Sequence, residues 1–263
     1  MLDTRLIGRD QQVEITDLIN PAKQASALAT LSSPTRQLMG TEQVQWLQTQ
    51  MATSTATWQM LGQQVLMARM EFPLTILQAL NSSDTSPQAI AAGQKVITDY
   101  LTVKAKLAQG FPITKAENDL WIERKLGYNL DAWDGYPFAR EILLSTASQL
   151  KKRLVVLSGD THNAWHSDLT LITGEKVGEE FATPSVSSPG LEAYLSLPPA
   201  QVKAIFEGVV KDLKWMDSSR RGYLKLTVST AQVQGEWLFI DTISSRAYKV
   251  NAPAAAEKRV YTA

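Results

Sequence analysis

The sequence contains no cysteine, which excludes disulfides, thiolate nucleophiles and zinc–sulfur sites, though it leaves the compartment open. Histidine is nearly absent as well: His162 and His166 are the only two. No apolar run approaches the ~18 residues that a membrane-spanning helix needs. Neither sign of charge is in excess, with Lys+Arg and Asp+Glu at 26 each, and no basic run is interleaved with aromatics. Nucleic acid and anionic membrane surfaces are therefore poor candidates for partners. There is no G-x-S-x-G elbow, which argues against a serine hydrolase. The opening MLDTRLIGRD has no apolar centre and does not read as a signal peptide.

What is present is ordinary globular composition: 263 residues, 44% hydrophobic and 20% charged, enough to bury a sizeable core. LDTRLIG alternates apolar and polar residues and predicts a strand from residue 2, as though the chain continued a longer one. TEQVQWLQTQM predicts a short amphipathic helix from Thr41, and the apolar stretch centred on Val65 predicts a buried strand. Ser86-Pro87 opens a long helical pattern closed by Gly110, and a second helix is expected from Lys115 to Leu126. Residues 86–127 then form a helical excursion, either a lid or a solvated hairpin packed on one face. NLDAWDGYP is a turn-rich connector, FAREILLSTASQLKK an amphipathic helix, and RLVVLS a buried strand, in the alternation of a layered α/β sheet. VGEEFATPSVSSPG reads as strand and loop, and the tail as two alternating strands turning near Ala231.

Both histidines lie within LSGDTHNAWH, residues 157–166. Their spacing suggests the H-E-x-x-H helix of zinc proteases, but Asn163 stands where the general-base glutamate is needed. The apolar, β-branched RLVVLS before it favours a strand, on which residues four apart lie roughly 13 Å from each other. Read as a strand end, Gly159 allows a sharp turn and Asp160 sits at the carboxyl edge of the sheet, where α/β enzymes keep their sites. Asp160 and His162 are then candidate metal ligands, with Asn163 adding a neutral oxygen donor. The other reading is that Asp160 caps a turn and His162 is a satisfied, partly buried side chain. His166 suits the core or the surface better than a ligand set.

Several segments in order resemble the PhoD-like alkaline phosphatases of the metallophosphatase superfamily. They are LDTRLIGRD, TEQVQWLQTQMATSTATWQMLGQQVLMA, NLDAWDGYPFAR, VVLSGDTHNAWHSDL, VGEEFATPSVSSPG and RRGYLKLTVSTAQVQGEWLFIDT. The resemblance implies an α/β fold, part of a layered α/β/β/α sandwich spanning residues 1–263, with a metal centre at the strand ends. It implies hydrolysis of phosphoric esters with divalent or trivalent metal ions, iron and calcium among them, and export of the full-length protein. Carried over by position, Asp160 and His162 are metal ligands, and His162 and Asn163 are catalytic or contact phosphate. Arg5 and Arg140 contact the phosphate ester substrate or serve as structural pairs, and Trp133 and Trp165 belong to the core or the pocket wall. The family's earlier Gly-Asp strand end and further histidine ligands have no counterpart here. The resemblance is thus to the C-terminal half alone, with a missing N-terminal half as the implied partner. The alternative is a non-catalytic binding or scaffold remnant of the same fold.

Overall fold

A computed structural model describes residues 1–82, 84, 86–195, 197–251 and 258–262. Three helices come first, α1 (Ile15–Ile19), α2 (Gln24–Leu31) and α3 (Thr41–Thr53). Strand β1 (Trp58–Gly62) follows, then β2 (Glu71–Pro73), α4 (Leu74–Leu80), α5 (Pro87–Ala108), α6 (Lys115–Trp121) and β3 (Lys125–Gly127). Helix α7 (Pro137–Gln149) leads into β4 (Arg153–Ser158), β5 (Ala164–Thr170) and β6 (Lys176–Ala182). After α8 (Pro199–Val209) come β7 (Leu213–Asp217), β8 (Arg221–Val228), β9 (Gln232–Ile240), β10 (Val250–Asn251) and β11 (Lys258–Thr262).

The main sheet has the order β1-β4-β6-β5-β7, with β1, β4 and β6 parallel, β5 antiparallel to its neighbours β6 and β7, and β7 therefore running in the same direction as β6. Alternation along its strands sends side chains to two different cores. Leu154, Val156, Trp165, Leu169 and Met216 face the helices, among them α7 and α8. Val155, Ala164, Phe181 and Trp215 meet Val233, Trp237 and Phe239 from the second sheet, built of β8, β9, β10 and β11. The result is helices on sheet on sheet, the α/β class expected from the sequence.

Local signals account for the best-read elements. Ser86 caps α5 by accepting from Ala89 N–H at 3.2 Å, Pro87 starts it, and Gly110 follows with φ +74°. Helix α5 packs Ile97 and Tyr100 into the same core as the main sheet, and buries Val103 as well, so the 86–127 segment lies on that core along one face. Helix α6 carries a full capping box between Thr114 and Glu117 but stops at Trp121, short of the expected Leu126. Residues Lys125–Gly127 instead pair with β2. The tail forms the expected hairpin of β8 and β9.

Two expected strands differ in the structure. The segment at residues 2–8 forms no strand and bends over residues 4–8, because Asp3 Oδ1 accepts from Arg5 N–H and Leu6 N–H, both at 2.8 Å, and coils the chain on itself. Gly8, at φ +73°, packs against Gly40 so closely that a Cβ there would lie 2.6 Å from Gly40 Cα. The strand expected around Val65 lies earlier, at Trp58–Gly62, and after Gln63, whose N–H still reaches Leu157 O of β4, residues 64–70 run through the interior without a strand partner.

A buried stretch of that kind must find partners for its backbone groups elsewhere. Glu180, on β6, supplies two of them, accepting from Met67 N–H at 2.7 Å and Ala68 N–H at 2.8 Å. Arg140, on α7, donates from Nε to Met67 O at 2.6 Å. Trp133 N–H donates to Leu66 O at 3.2 Å, and Met70 N–H to Asp134 Oδ2 at 3.0 Å. Burial pushes the Glu180 carboxyl pKa up, against the pull of its two amide donors. Removing the carboxylate in Glu180→Ala leaves two buried donors unpaired, so unfolding in urea should show a loss of about 3 kcal/mol. Glu180→Gln, which keeps an acceptor, should lose less; equal stability of wild type and Glu180→Ala would contradict this account.

Asp134 packs against Gly127 so tightly that a Cβ at Gly127 would sit 2.4 Å from Asp134 Cβ. Burial, reinforced by the nearby Glu71 charge, pushes its pKa up to about 7. The folded protein then holds a proton that an unfolded aspartate, with a pKa of about 3.9, has released. Stability from this group is complete below pH ~4 and declines as pH rises to about 7. The urea midpoint of Asp134→Asn, relative to wild type, should therefore improve between pH 5 and about 7 and level off above it. A difference that stays constant over that range would show that Asp134 is ionised throughout.

Candidate active site

The parallel strands β1, β4 and β6 end together at Gly62, Ser158 and Ala182, and the chain leaves β4 there through Gly159. Gly159 N–H donates to Gln64 O at 3.0 Å, and Thr161 N–H to Gly159 O at 2.8 Å, so the turn is tight. Asp160 and His162 both take left-handed backbone conformations, with φ of 68° and 62°. Non-glycine residues held this way cost free energy, and such conformations cluster in turns and at functional sites. Both side chains thereby stand at the carboxyl edge of the sheet, as the strand-end reading anticipates.

The surroundings fix each group differently. His162 donates from Nδ1 to Pro189 O at 2.7 Å, which leaves Nε2 as the ring's lone-pair nitrogen. Asn163 is 0% exposed and has both ends of its amide engaged. Its Nδ2 donates to Ser218 O at 2.8 Å, and its Oδ1 accepts from Leu191 N–H at 3.3 Å. Asn163 thus ties the turn to the loop that carries Pro189. Thr161 Oγ1 accepts from Trp165 Nε1 at 2.8 Å, and Trp165 itself is fully buried in the helix-side core.

Arg5 joins the site from the N-terminal bends. Its guanidinium pairs with the carboxylates of both Asp160 and Asp131. Asp131 pairs in turn with Arg9, which donates from Nε to Tyr136 OH at 3.2 Å. Two arginines and two aspartates therefore alternate along the mouth of the site. Sequence reasoning missed Asp131 and Arg9: the connector NLDAWDG reads as a turn, and the useful clue was the four-residue spacing of Arg5 and Arg9. Arg140 is elsewhere. It is 2% exposed, and its guanidinium serves Met67 O and, at 3.0 Å, Thr170 O, so it holds the interior and stands apart from Arg5. Burial lowers its pKa. Trp133 is core, donating from Nε1 to Gln63 Oε1 at 3.0 Å.

His166 lies within β5 and points to the opposite face of the sheet, where its Nε2 donates to Glu179 Oε2 at 2.5 Å. It stacks on Phe181 between the two sheets, and burial lowers its pKa. It shares no site with His162. Among the described residues no group of three or more histidine or acidic side chains is placed to hold a metal ion. Asp160 and the free Nε2 of His162 suit one, but they do not by themselves complete a metal centre.

The family model for PhoD-like phosphatases matches residues 1–237. Alkaline phosphatase D of Bacillus subtilis (strain 168) is 27% identical over 244 residues, spanning 90% of this chain and 31% of that protein. A solved structure titled "Structure of PhoD" shares the fold, with a TM-score of 0.58 at 20% identity over 89% of this chain and 35% of that one. The chain thus spans about a third of the length of the relatives it matches. With the strand-end turn, the ordered segments and this match over most of its length, the chain belongs to the PhoD-like phosphatase family.

Proposed function

We propose that this chain forms one wall of a metal-dependent phosphoric ester hydrolase site, and that Asp160, His162 and Arg5 are its working residues. The observation that carries the reading is the Gly159–His162 turn at the sheet's carboxyl edge, which bears both Asp160 and His162 in left-handed conformations and holds the His162 ring by Nδ1 on Pro189 O. Arg5 supplies a planar cation suited to phosphate oxygens. Asn163 acts through the loop it holds. A metal ion at such a site would polarise the ester, but this chain's donors are too few, and the remaining ligands would come from a further segment of the kind its longer relatives contain. Iron and calcium are the metals that the family resemblance suggests.

A second reading, a binding or scaffold module, is favoured by one specific feature: Arg5 already neutralises Asp160, so the charges at the mouth of the site balance without an ion.

Hydrolysis of p-nitrophenyl phosphate decides between them. The chain alone should show little metal-dependent turnover, and adding the N-terminal segment of a longer relative, fused or separate, should restore it. In the restored enzyme Asp160→Asn should abolish activity, and Arg5→Ala should raise KM about tenfold, as expected for a lost charged hydrogen bond. Full activity of Asp160→Asn would refute the assignment, and no rescue in any combination would favour the scaffold reading.

A further inference from the structure

Two stretches far apart in the chain meet beside His162: the loop at residues 183–190 after β6, and the start of β8. The loop holds His162 twice. Ser185 N–H donates to His162 O at 3.3 Å, and Pro189 O accepts the Nδ1 proton at 2.7 Å. A carbonyl oxygen cannot donate, so this contact fixes which ring nitrogen carries the proton. Pro189 C=O and Gly190 N–H are the two ends of one planar peptide unit and point in opposite directions. The far end is held as well, because Gly190 N–H donates to Glu192 Oε1 at 3.1 Å. That carboxylate pairs with the guanidinium of Arg221, the first residue of β8. Arg221 is 7% exposed and donates from Nη1 to Ser219 O at 2.9 Å. Gly222, next to it, donates its N–H to Ser185 O at 3.1 Å. The packing leaves no slack: a Cβ on Gly190 would lie 2.3 Å from Asn163 Nδ2 and 3.0 Å from Glu192 Oε2.

We propose that Arg221 is a positioning residue for His162. Through Glu192 it sets the plane of the 189–190 peptide, which holds the imidazole proton on Nδ1 and keeps Nε2 free. Fixing the N–H end of a rigid plane aims its C=O end. A charged acceptor on the N–H also makes the carbonyl a stronger acceptor, because hydrogen bonds in series polarise one another. An orienting partner on the second ring nitrogen is what a metal-binding or proton-transferring histidine needs. Without Arg221, Glu192, whose side chain is 26% exposed, is free to turn to water and release Gly190. His166 has the opposite arrangement in the same chain: its Nε2 donates to Glu179, and its Nδ1 has no partner among the described residues. The use of Nε2 in chemistry rests on the hydrolase reading, but the control of the tautomer does not.

Nitrogen-15 NMR of the chain labelled at histidine tests it, and with two histidines the spectrum holds two rings. At pH 8, above the ordinary imidazole pKa of about 6.5, the tautomer of a neutral ring is read from its two nitrogen shifts. His162→Gln assigns the signals by removing one set. The wild-type His162 ring should carry its proton on Nδ1 and the His166 ring on Nε2. In Arg221→Gln the ratio of the Nδ1–H to the Nε2–H form of His162 should fall about tenfold, as the loss of one hydrogen bond implies. The His166 signals, from the other face of the sheet, should stay in place and report an intact fold. Glu192→Ala, at a partly exposed position, should give the same change, and the double substitution no more than either alone. Arg221→Lys, which keeps the cation, should recover most of the ratio. A wild-type His162 proton on Nε2 would overturn the proposal, and so would an unchanged ratio in both Arg221→Gln and Glu192→Ala. Failure of p-nitrophenyl phosphate hydrolysis in every combination, with the tautomers as stated, would remove the hydrolase reading and leave this one standing.

Discussion

The arrangement of this molecule depends on a buried carboxylate. Glu180 accepts the amides of Met67 and Ala68, and that helps residues 64–70 cross the interior without a strand partner. Burying an unpaired carboxylate would cost several kcal/mol, so the two donors and the carboxylate need each other. The consequences spread outward. Leu66 O holds Trp133 N–H and Met70 N–H holds Asp134, so the same stretch seats the turn that bears Asp131. Asp131 then grips Arg5 and Arg9. Gln64, next in line, receives Gly159 N–H and, through its side chain, Thr4 N–H at 2.9 Å. Asp160 and Arg5 are thus brought together from two directions by one buried segment.

The two histidines illustrate how strand geometry separates residues that sequence places close. His162 sits in the turn before β5, while His166 is the third residue of that strand and faces the second sheet. There it joins Glu179, whose pKa falls to about 2 despite its burial because His166, Lys176 and Lys214 all donate to it. That cluster is an electrostatic seal between sheets.

Much of this was legible in the sequence. The Ser86-Pro87 start, the apolar run RLVVLS and the alternating tail each carry a local signal and formed the expected element, while the helix expected from Lys115 ends early at Trp121. The strand end at Gly159-Asp160 was legible because a β-branched run stops there at a glycine. The failures share a cause. LDTRLIG alternates like a strand, but Asp3 offers its backbone a nearer acceptor, and alternation does not report such local bonds. The stretch at 63–70 is apolar enough for a strand, yet its partners are side chains more than sixty positions away. No window of sequence contains Glu180 and Met67 together. The same applies to Asp131, whose role appears only when Arg5 and Arg9 arrive beside it.

The charge arrangement at the mouth explains why a hydrolase wall and an inert scaffold share one geometry. Among the described residues Asp160 pairs with Arg5, and that arginine is itself shared with Asp131. A guanidinium and a metal ion compete for the same carboxylate lone pairs, so an ion can engage Asp160 fully only as Arg5 turns away. Arg5 has somewhere to go, because Asp131 continues to hold it, and Arg9 continues to hold Asp131. On the proposed reading, the cation displaced from Asp160 would stay at the edge of the site, where an anionic ester would meet it. The pairing that balances the isolated wall is therefore the same pairing that would keep Arg5 close to substrate in a completed site.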